Sequence, residues 1–205
     1  MSKIVLIDYG MGNLNSVKRK LDRLKTDSLI SRDEKEILSA DKLIIVGVGH
    51  FAKAMKNIED LNLIDALNEV VLIKKKPILG ICLGMQLMAT QSEEGDCSGL
   101  NWIEAEVKRM EVNDPIKFKV PHTGWNEIKQ KKQSSLMKDI PNNAEFYFVH
   151  AYYFEPKNTD YVLNETDYAF NFTSAVEKEN IFGVQYHPEK SHDVGEILLN
   201  NFIRI

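Results

Sequence analysis

Cysteine is scarce in this sequence, whose 205 residues include only Cys82 and Cys97. Two cysteines do not make a disulfide framework for a chain of this size. Long apolar runs are also missing, because none approaches the ~20 residues that a membrane-spanning helix needs. The first apolar run, residues 4–7, is too short for the core of a signal peptide. The sequence therefore predicts a cytoplasmic protein without a membrane partner, in which both thiols stay reduced.

An excess of basic residues is missing too, since 26 Lys and Arg stand against 30 Asp and Glu, a formal net charge of −4. Nucleic-acid binders usually carry a basic surface that neutralises phosphates, so we expect no nucleic-acid partner. The sequence has no P-loop motif, and Asn15 stands where a dinucleotide fingerprint beginning at Gly10 requires glycine. His187, His192 and Cys97 lack a recognised zinc-ligand spacing, so we expect neither a metal nor another cofactor.

Apolar runs alternate with amphipathic segments in the first half of the chain, a pattern typical of βαβ units around a parallel sheet. The predicted buried strands are residues 4–7, 43–46 and 77–81. Helical spacing of apolar residues predicts helices at residues 14–24, 64–71 and 85–90.

The second half predicts strands separated by turn-rich segments, which indicates antiparallel additions to the sheet. These strands are residues 105–110, 126–129 and 145–153. A last strand at residues 181–186 precedes a C-terminal helix at residues 194–203. No linker divides the chain, so we expect one α/β domain over residues 1–205.

The sharpest local feature is the segment Gly80-Ile81-Cys82-Leu83-Gly84. A nucleophile with glycine two residues before and two after it, between a strand and a helix, is typical of a nucleophile elbow. Glycine is needed because the turn is tight and neighbouring backbone passes close to it. The following helix directs its positive end at the side chain, which favours the reactive thiolate. The alternative is that Cys82 is a small buried apolar residue, the usual role of a free cysteine.

A reactive thiolate needs a group that moves protons, and His187 is the best candidate. It lies in Gly183-Val184-Gln185-Tyr186-His187-Pro188-Glu189, at the end of an apolar strand. Residues two apart in an extended chain point to the same side, so Glu189 can orient the imidazole. Pro188 restricts His187 to extended conformations and holds the pair in place. A lone histidine at a strand end is more often structural, but the cysteine elbow favours a triad.

Acyl transfer also needs hydrogen-bond donors for the oxyanion of the tetrahedral intermediate. The elbow supplies one of them, the backbone N–H of Leu83. A second is expected from the loop Gly47-Val48-Gly49 after the strand at residues 43–46, through Val48 or Gly49. The alternative for this loop is a turn whose glycines have only a steric purpose.

Together these residues resemble the class I (triad) glutamine amidotransferases and, within them, the HisH-type glutaminase subunits of imidazole glycerol phosphate synthase. The resemblance covers essentially the whole length. It rests on six motifs in order: Ile7-Asp8-Tyr9-Gly10-Met11-Gly12-Asn13, Gly47-Val48-Gly49-His50-Phe51, Gly80-Ile81-Cys82-Leu83-Gly84-Met85-Gln86, Pro121-His122-Thr123-Gly124-Trp125-Asn126, Phe148-Val149-His150 and Tyr186-His187-Pro188-Glu189-Lys190-Ser191.

The resemblance implies a three-layer α/β sandwich with a mostly parallel, flavodoxin-like central sheet. It implies that Cys82 is the nucleophile, His187 the general acid and base, and Glu189 its orienting partner. The residues expected to hold the amino acid part of glutamine are Gln86, Glu94, His150 and Ala151.

Glutaminases of this family dock on a synthase that uses their ammonia. For the HisH type, the resemblance implies a heterodimer with a HisF-like (β/α)₈ cyclase that receives ammonia through a tunnel. The residues in segments that face this partner are Asn13, Asn15, Arg19, His122, Trp125 and Lys190. The alternative for Trp125 is a core aromatic.

Three positions depart from the family pattern: Val46 replaces a usual proline, Thr123 a common methionine, and Ala151 a common serine or threonine. They bear on loop behaviour and partner choice. The first hypothesis is glutamine hydrolysis coupled to histidine biosynthesis, in which the cyclase makes imidazole glycerol phosphate and an aminoimidazole ribonucleotide. A second keeps the glutaminase but supplies ammonia to an enzyme that amidates surface-polysaccharide sugars. A third, a non-catalytic binding subunit, is disfavoured by the intact triad.

Overall fold

The computed structural model describes residues 2–205. In the first half of the chain, strands and helices alternate as the sequence predicts. The strands are β1 (Ile4–Ile7), β2 (Ser28–Ser31), β3 (Lys42–Gly47), β4 (Ile78–Cys82), β5 (Gln91–Ser92), β6 (Cys97–Ser98), β7 (Ala105–Arg109), β8 (His122–Glu127), β9 (Lys129–Gln130), β10 (Glu145–His150), β11 (Tyr152–Pro156), β12 (Val162–Tyr168), β13 (Phe170–Lys178) and β14 (Ile181–Val184). The α-helices are α1 (Leu14–Arg23), α2 (Glu34–Leu38), α3 (Phe51–Asp60), α4 (Ile64–Asn68), α5 (Leu83–Gln86) and α6 (His192–Arg204). A π-helical turn, Glu69–Ile73, extends α4.

The central sheet has the order β2-β1-β3-β4-β14-β13-β12-β9. Strands β2, β1, β3, β4 and β14 run parallel to one another, whereas β13 pairs antiparallel with β14, and β12 and β9 continue the sheet in antiparallel pairing. The predicted α/β class with a mostly parallel sheet and antiparallel additions is confirmed. Strand β4 lies in the middle of this sheet, which places its last residue, Cys82, at the carboxyl edge where ligands bind in open α/β sheets.

Both faces of the sheet are buried, which is why its inner strands are continuous apolar runs. In β1, Val5 and Ile7 pack into one core, and Ile4 and Leu6 pack into the other. Helices α3 and α4 contribute to the first core, and α1 and α6 cover the second. Two helical layers around one sheet make the expected three-layer sandwich.

Several details of the predicted secondary structure are wrong. The strand predicted at residues 126–129 is divided at Ile128 into β8 and β9. The helix predicted at residues 85–90 begins earlier and ends at Gln86. The single strand predicted at residues 145–153 is divided at Ala151 into β10 and β11. These two strands do not join the central sheet, because β10 pairs with β8 and β11 pairs with β7 in two smaller sheets. The division matters for the site because the peptide between them lines the cavity described below.

Within residues 2–205, no helix is both long enough and apolar enough to cross a bilayer.

Candidate active site

Cys82 occupies a strained turn between β4 and α5. Its backbone angles are φ 55° and ψ −112°, a combination that residues other than glycine rarely adopt. A Cβ on Gly84 would collide with the carbonyl oxygen of Ile45, and a Cβ on Gly80 would lie 2.7 Å from the backbone nitrogen of Met85. Glycine is therefore required on both sides of Cys82 by the close approach of neighbouring backbone. The turn leaves Cys82 6% exposed at the edge of the sheet.

The strain at Cys82 predicts an unusual order of stabilities among variants that lack the thiol. A non-glycine residue in such a conformation destabilises the folded state by about 1–3 kcal/mol. Replacing it with glycine removes this strain but also stabilises the unfolded state by about 0.4–1 kcal/mol, because glycine gives the unfolded chain more conformational freedom. The free energy of unfolding of Cys82→Gly is therefore expected to be about 1 kcal/mol higher than that of Cys82→Ala. Urea unfolding of the two variants measures this difference. Equal stabilities, or a more stable alanine variant, would contradict a strained elbow.

The helix that follows the nucleophile is shorter than the sequence predicts. Helix α5 has four residues, from Leu83 to Gln86. Because the helix dipole arises from many aligned peptide units, a single turn directs less positive charge at Cys82 than a long helix does. The contribution of this helix to the reactivity of Cys82 is therefore smaller than the sequence predicts.

His187 and Glu189 form a buried pair, in which Nδ1–H of His187 donates to Oε1 of Glu189 at 2.7 Å. The predicted contact is present, but the extended geometry offered for it is wrong. Only His187 is extended, and Pro188–Lys190 is a 3₁₀ turn that brings the carboxylate back to the imidazole. The backbone of His187 is fixed because its N–H donates to Tyr147 O at 2.9 Å and its carbonyl accepts from Ser191 Oγ at 2.6 Å.

The surroundings of His187 favour its charged form. Burial opposes the imidazolium, but interactions with Cys82 and Glu189 outweigh that cost and raise the pKa of His187 to about 9. Nε2 of His187 is buried and has no hydrogen-bond partner among residues 2–205. The imidazole is thus oriented by Glu189, and the nitrogen that is not engaged by Glu189 is available for proton transfer.

The loop predicted to hold an oxyanion donor begins beside the nucleophile, because Gly47 is paired with Cys82 in the register of β3 and β4. Val48 is 41% exposed, and Gly49 has φ +115°, which glycine adopts readily. Val46 lies before the loop, inside β3, and its carbonyl accepts from the Tyr9 hydroxyl at 3.0 Å. The loop is therefore anchored at its start, and its Val48–Gly49 peptide is open to solvent.

A cavity of about 520 Å³ lies over Cys82. It brings together the elbow, the Val48–Gly49 loop and all four residues predicted to hold glutamine. Its lining residues are Val48, Gly49, Cys82, Leu83, Gln86, Glu94, Pro121, Val149, His150, Ala151, Tyr152 and Lys190. This volume suits an amino acid.

The polar groups of the cavity are partly committed to internal hydrogen bonds. Nε2 of Gln86 donates to Tyr152 O at 3.0 Å and to Gln185 Oε1 at 2.9 Å, so only its carbonyl oxygen is left for a ligand. Oε2 of Glu94 accepts from the backbone N–H of Phe51 at 2.7 Å, which ties this carboxylate to the start of α3. Both nitrogens of His150 are engaged, with Tyr152 O and with His122, so this residue offers a ligand only its backbone.

The residues predicted to face a partner divide into two groups. Asn13, Asn15, Arg19, Trp125 and Lys190 are exposed; Trp125 is 44% exposed and stacks on His192 at 5.0 Å, so it is not a core aromatic. These residues lie on neighbouring elements, since α1 packs against α6 and against the Pro188–Lys190 turn.

His122 does not belong to that surface. It is 2% exposed, lies against His150 and stacks on Tyr168 with ring centroids 3.9 Å apart. The prediction of His122 as a contact residue is wrong for this conformation, because the ring points into the protein between aromatic side chains. Its neighbour Thr123 is exposed on β8.

Sequence reasoning missed one polar residue at the nucleophile, Gln185. It is fully buried, and its side-chain Nε2 donates to Sγ of Cys82 at 3.6 Å. The available signal was a glutamine at the end of a buried apolar strand, two residues before His187. No group of three or more potential metal ligands occurs in the part of the chain that the structure describes.

Comparisons with known proteins identify relatives along nearly the whole chain. The imidazole glycerol phosphate synthase subunit HisH 2 of Methanococcus maripaludis is 46% identical over 201 residues, 98% of each chain. The subunit HisH 1 of Campylobacter jejuni is 46% identical over 203 residues, 98% of this chain and all of the relative. The HisH subunit of Moorella thermoacetica is 44% identical over 98% of this chain and 94% of its own length.

Solved structures support the fold. A crystal structure described as a glutamine amidotransferase superimposes with a TM-score of 0.75 at 16% identity, over 98% of this chain and 97% of its own. A glutamine amidotransferase of Thermotoga maritima has a TM-score of 0.64 at 15% identity, over 98% of this chain and 82% of its own. The sequence model described as "Glutamine amidotransferase class-I" matches residues 5–205. The chain, with its cysteine elbow at the sheet edge, therefore belongs to the class I glutamine amidotransferase family.

Proposed function

We propose that this chain is the glutaminase subunit of an imidazole glycerol phosphate synthase, folded as a single amidotransferase domain. The observation that carries the proposal is the arrangement of Cys82 in a strained elbow below a cavity, with the buried His187–Glu189 pair just after β14, the strand that pairs with β4. Relatives at 44–46% identity over nearly the whole chain are named as HisH subunits of that synthase, which favours the histidine pathway over the other two hypotheses.

In the first half of the reaction, Sγ of Cys82 attacks the side-chain amide carbon of glutamine. The amide oxygen becomes an oxyanion, which accepts hydrogen bonds from the N–H of Leu83 and from the Val48–Gly49 loop. His187 then gives a proton to the amide nitrogen, the carbon–nitrogen bond breaks and ammonia leaves. The product on the enzyme is a thioester between Cys82 and the glutamate side chain.

In the second half, His187 takes a proton from water as the water oxygen attacks the thioester carbon. A second oxyanion forms in the same place and collapses with release of the thiolate and glutamate. Glu189 keeps Nδ1 of His187 protonated through both halves, so that Nε2 is always the nitrogen that exchanges the proton. The raised pKa of His187, about 9, suits a group that must carry a proton to the departing nitrogen at neutral pH.

The α-ammonium and α-carboxylate of glutamine need partners of opposite charge or polarity in the cavity. The carboxylate of Glu94 and the free carbonyl oxygen of Gln86 are acceptors suited to the ammonium group. Ala151 lacks the hydroxyl usual at this position, so the donor for the carboxylate is a backbone N–H in the segment that joins β10 and β11. The side chain of His150 does not bind glutamine, because both of its nitrogens are already in hydrogen bonds.

We assign a HisF-like (β/α)₈ cyclase as the partner, which uses the ammonia to form imidazole glycerol phosphate and an aminoimidazole ribonucleotide. The exposed residues Asn13, Asn15, Arg19, Trp125 and Lys190 supply the contact surface. Trp125 is a suitable anchor because a large aromatic ring that is half exposed and already stacked loses little conformational freedom on binding. Lys190 also lines the cavity, so this surface reaches the mouth of the site.

The isolated subunit is expected to hydrolyse glutamine about 100-fold more slowly than the complex with cyclase and acceptor nucleotide. The physical reason is that we expect the exposed Val48–Gly49 peptide to be held in its donating orientation only in the complex, and loss of one oxyanion donor costs about 10²–10³ in rate. Glutamate production with and without cyclase measures the difference, and formation of imidazole glycerol phosphate identifies the acceptor. Equal turnover in both conditions would contradict coupling, and coupled hydrolysis without that product would favour the surface-sugar hypothesis.

A further inference from the structure

Gln185 is a buried polar residue at the nucleophile to which the triad assigns no task. It follows β14 directly and is fully buried beside the end of β4. Its Nε2 donates to Sγ of Cys82 at 3.6 Å, while the sulfur lies 3.9 Å from the carbonyl oxygen of Val149 on the other side. A carbonyl oxygen accepts a hydrogen bond only from the S–H of a thiol, whereas an amide N–H donates a stronger hydrogen bond to a thiolate than to a thiol. The two neighbours therefore favour opposite protonation states of Cys82.

The orientation of the Gln185 amide is determined by its surroundings. The backbone carbonyl of Tyr152 can only accept, so the end of Gln86 that lies 3.0 Å from it must be the NH₂ group. The other N–H of that group points to Gln185 at 2.9 Å, where it requires an oxygen. Gln185 thus presents Oε1 to Gln86, and its NH₂ group is left facing the sulfur of Cys82.

The same carbonyl fixes a second chain of hydrogen bonds behind Gln86. Nδ1–H of His150 donates to Tyr152 O at 2.8 Å, so Nε2 of His150 must accept. Nδ1–H of His122 is the donor to it, at 3.0 Å. Burial lowers the pKa of His150 to about 3 and that of His122 to about 4, so both rings are neutral at physiological pH. Tyr152 O therefore accepts from both His150 and Gln86, and its bond with Gln86 determines the orientation of the Gln185 amide.

We propose that Gln185 stabilises the thiolate form of Cys82 by donating a side-chain N–H to Sγ. This N–H faces the sulfur because Gln86, oriented by the carbonyl of Tyr152, occupies the oxygen of the Gln185 amide. The proposal deepens the glutaminase function and rests on Cys82 being its nucleophile. Gln185 exchanges no proton, so His187 is left free to act on the leaving nitrogen. It adds one hydrogen bond to the stabilisation of the sulfur, to which the four-residue helix α5 contributes only weakly. Gln185 acts through Cys82 and is a positioning residue.

The test measures the reactivity of Cys82 without glutamine. Iodoacetamide alkylation is followed from pH 5 to pH 10 by mass spectrometry of the Cys82 peptide, which separates it from Cys97. Gln185→Met, which keeps the volume and removes the donor, is expected to move the midpoint of the profile up by about one pH unit, which is about a tenfold loss of rate at pH values below both midpoints. Gln185→Glu keeps the acceptor for Gln86 and adds a negative charge, so its midpoint moves further in the same direction.

A matched control is Thr166→Val, because Thr166 Oγ1 makes a buried hydrogen bond to Ser174 on the neighbouring strands and does not line the cavity. Its alkylation profile should match that of the wild-type chain. Wild-type protein supplies a measurement that no folding defect can disturb: the side-chain amide protons of Gln185 should shift in the NMR spectrum with the same pH midpoint as alkylation. Midpoints in both Gln185 variants that equal the wild-type value, or amide protons insensitive to that pH range, would overturn the proposal.

Glutamine hydrolysis is assayed in parallel with the cyclase present. Hydrolysis by the wild-type chain together with unshifted alkylation profiles in the variants overturns the role of Gln185 alone. Shifted profiles in a chain that hydrolyses no glutamine support the role of Gln185 and count against the proposed function.

Discussion

Cys82→Ala is expected to lower glutamate production by at least about 10⁴-fold in the presence of cyclase and acceptor, because no thioester can form without the sulfur. Cys82 is 6% exposed and lines the cavity, so its side chain offers almost no area to the proposed contact surface. The variant should therefore bind the cyclase with unchanged affinity. Glutamate release and a binding titration measured on the same preparation separate the two effects.

The chain contains its own control for this substitution. Cys97 is the other free thiol, is half-buried and does not line the cavity. Cys97→Ala should keep the full rate of hydrolysis, which shows that loss of a thiol elsewhere has no effect. Glutamate production by Cys82→Ala at a rate near that of Cys97→Ala would rule out Cys82 as the nucleophile.

The elbow could be predicted because its signal is local. The pattern lies within five consecutive residues, with glycine two positions before and two after Cys82. The structure shows why glycine is needed there, because a Cβ at Gly80 or Gly84 would collide with neighbouring backbone. The contact of His187 with Glu189 was also within reach, since the residues are two apart in sequence. Only the way they meet was unpredictable, because the 3₁₀ turn at Pro188–Lys190 depends on hydrogen bonds to Tyr147 and Ser191.

The parts that sequence reasoning missed depend on contacts between distant residues. Gln86 and Gln185 are 99 residues apart, and Gln185 and Cys82 are 103 apart, so spacing gives no indication that they meet. The burial of His122 likewise depends on Tyr168 and His150, which belong to other strands. Strand β2 was not predicted because Ser28–Ser31 lies at the edge of the sheet, is half-buried throughout and has serine at both ends.

The second large effect is expected for Glu189→Gln, which keeps the size of the side chain and removes its charge. Nδ1–H of His187 can still donate to the amide oxygen, but the imidazolium loses its buried counter-charge. The value of kcat should fall by about 10²–10⁴-fold, the range that follows loss of the orienting carboxylate in catalytic triads. The value of KM should change little, because Glu189 does not line the cavity.

The pH dependence of this variant tests the electrostatic role directly. In the wild-type chain, activity that needs a protonated His187 is retained until the pH rises through its pKa of about 9. Removing the carboxylate lowers that pKa, so the alkaline limb of the kcat profile should move to lower pH in Glu189→Gln. Glu165→Gln is the control, because Glu165 lies on β12 and pairs with Lys131, which follows β9 at the far edge of the sheet; it should change neither kcat nor the alkaline limb. If kcat falls but the alkaline limb stays in place, Glu189 orients the imidazole without stabilising its charge. If kcat is unchanged, Glu189 is not a member of the triad.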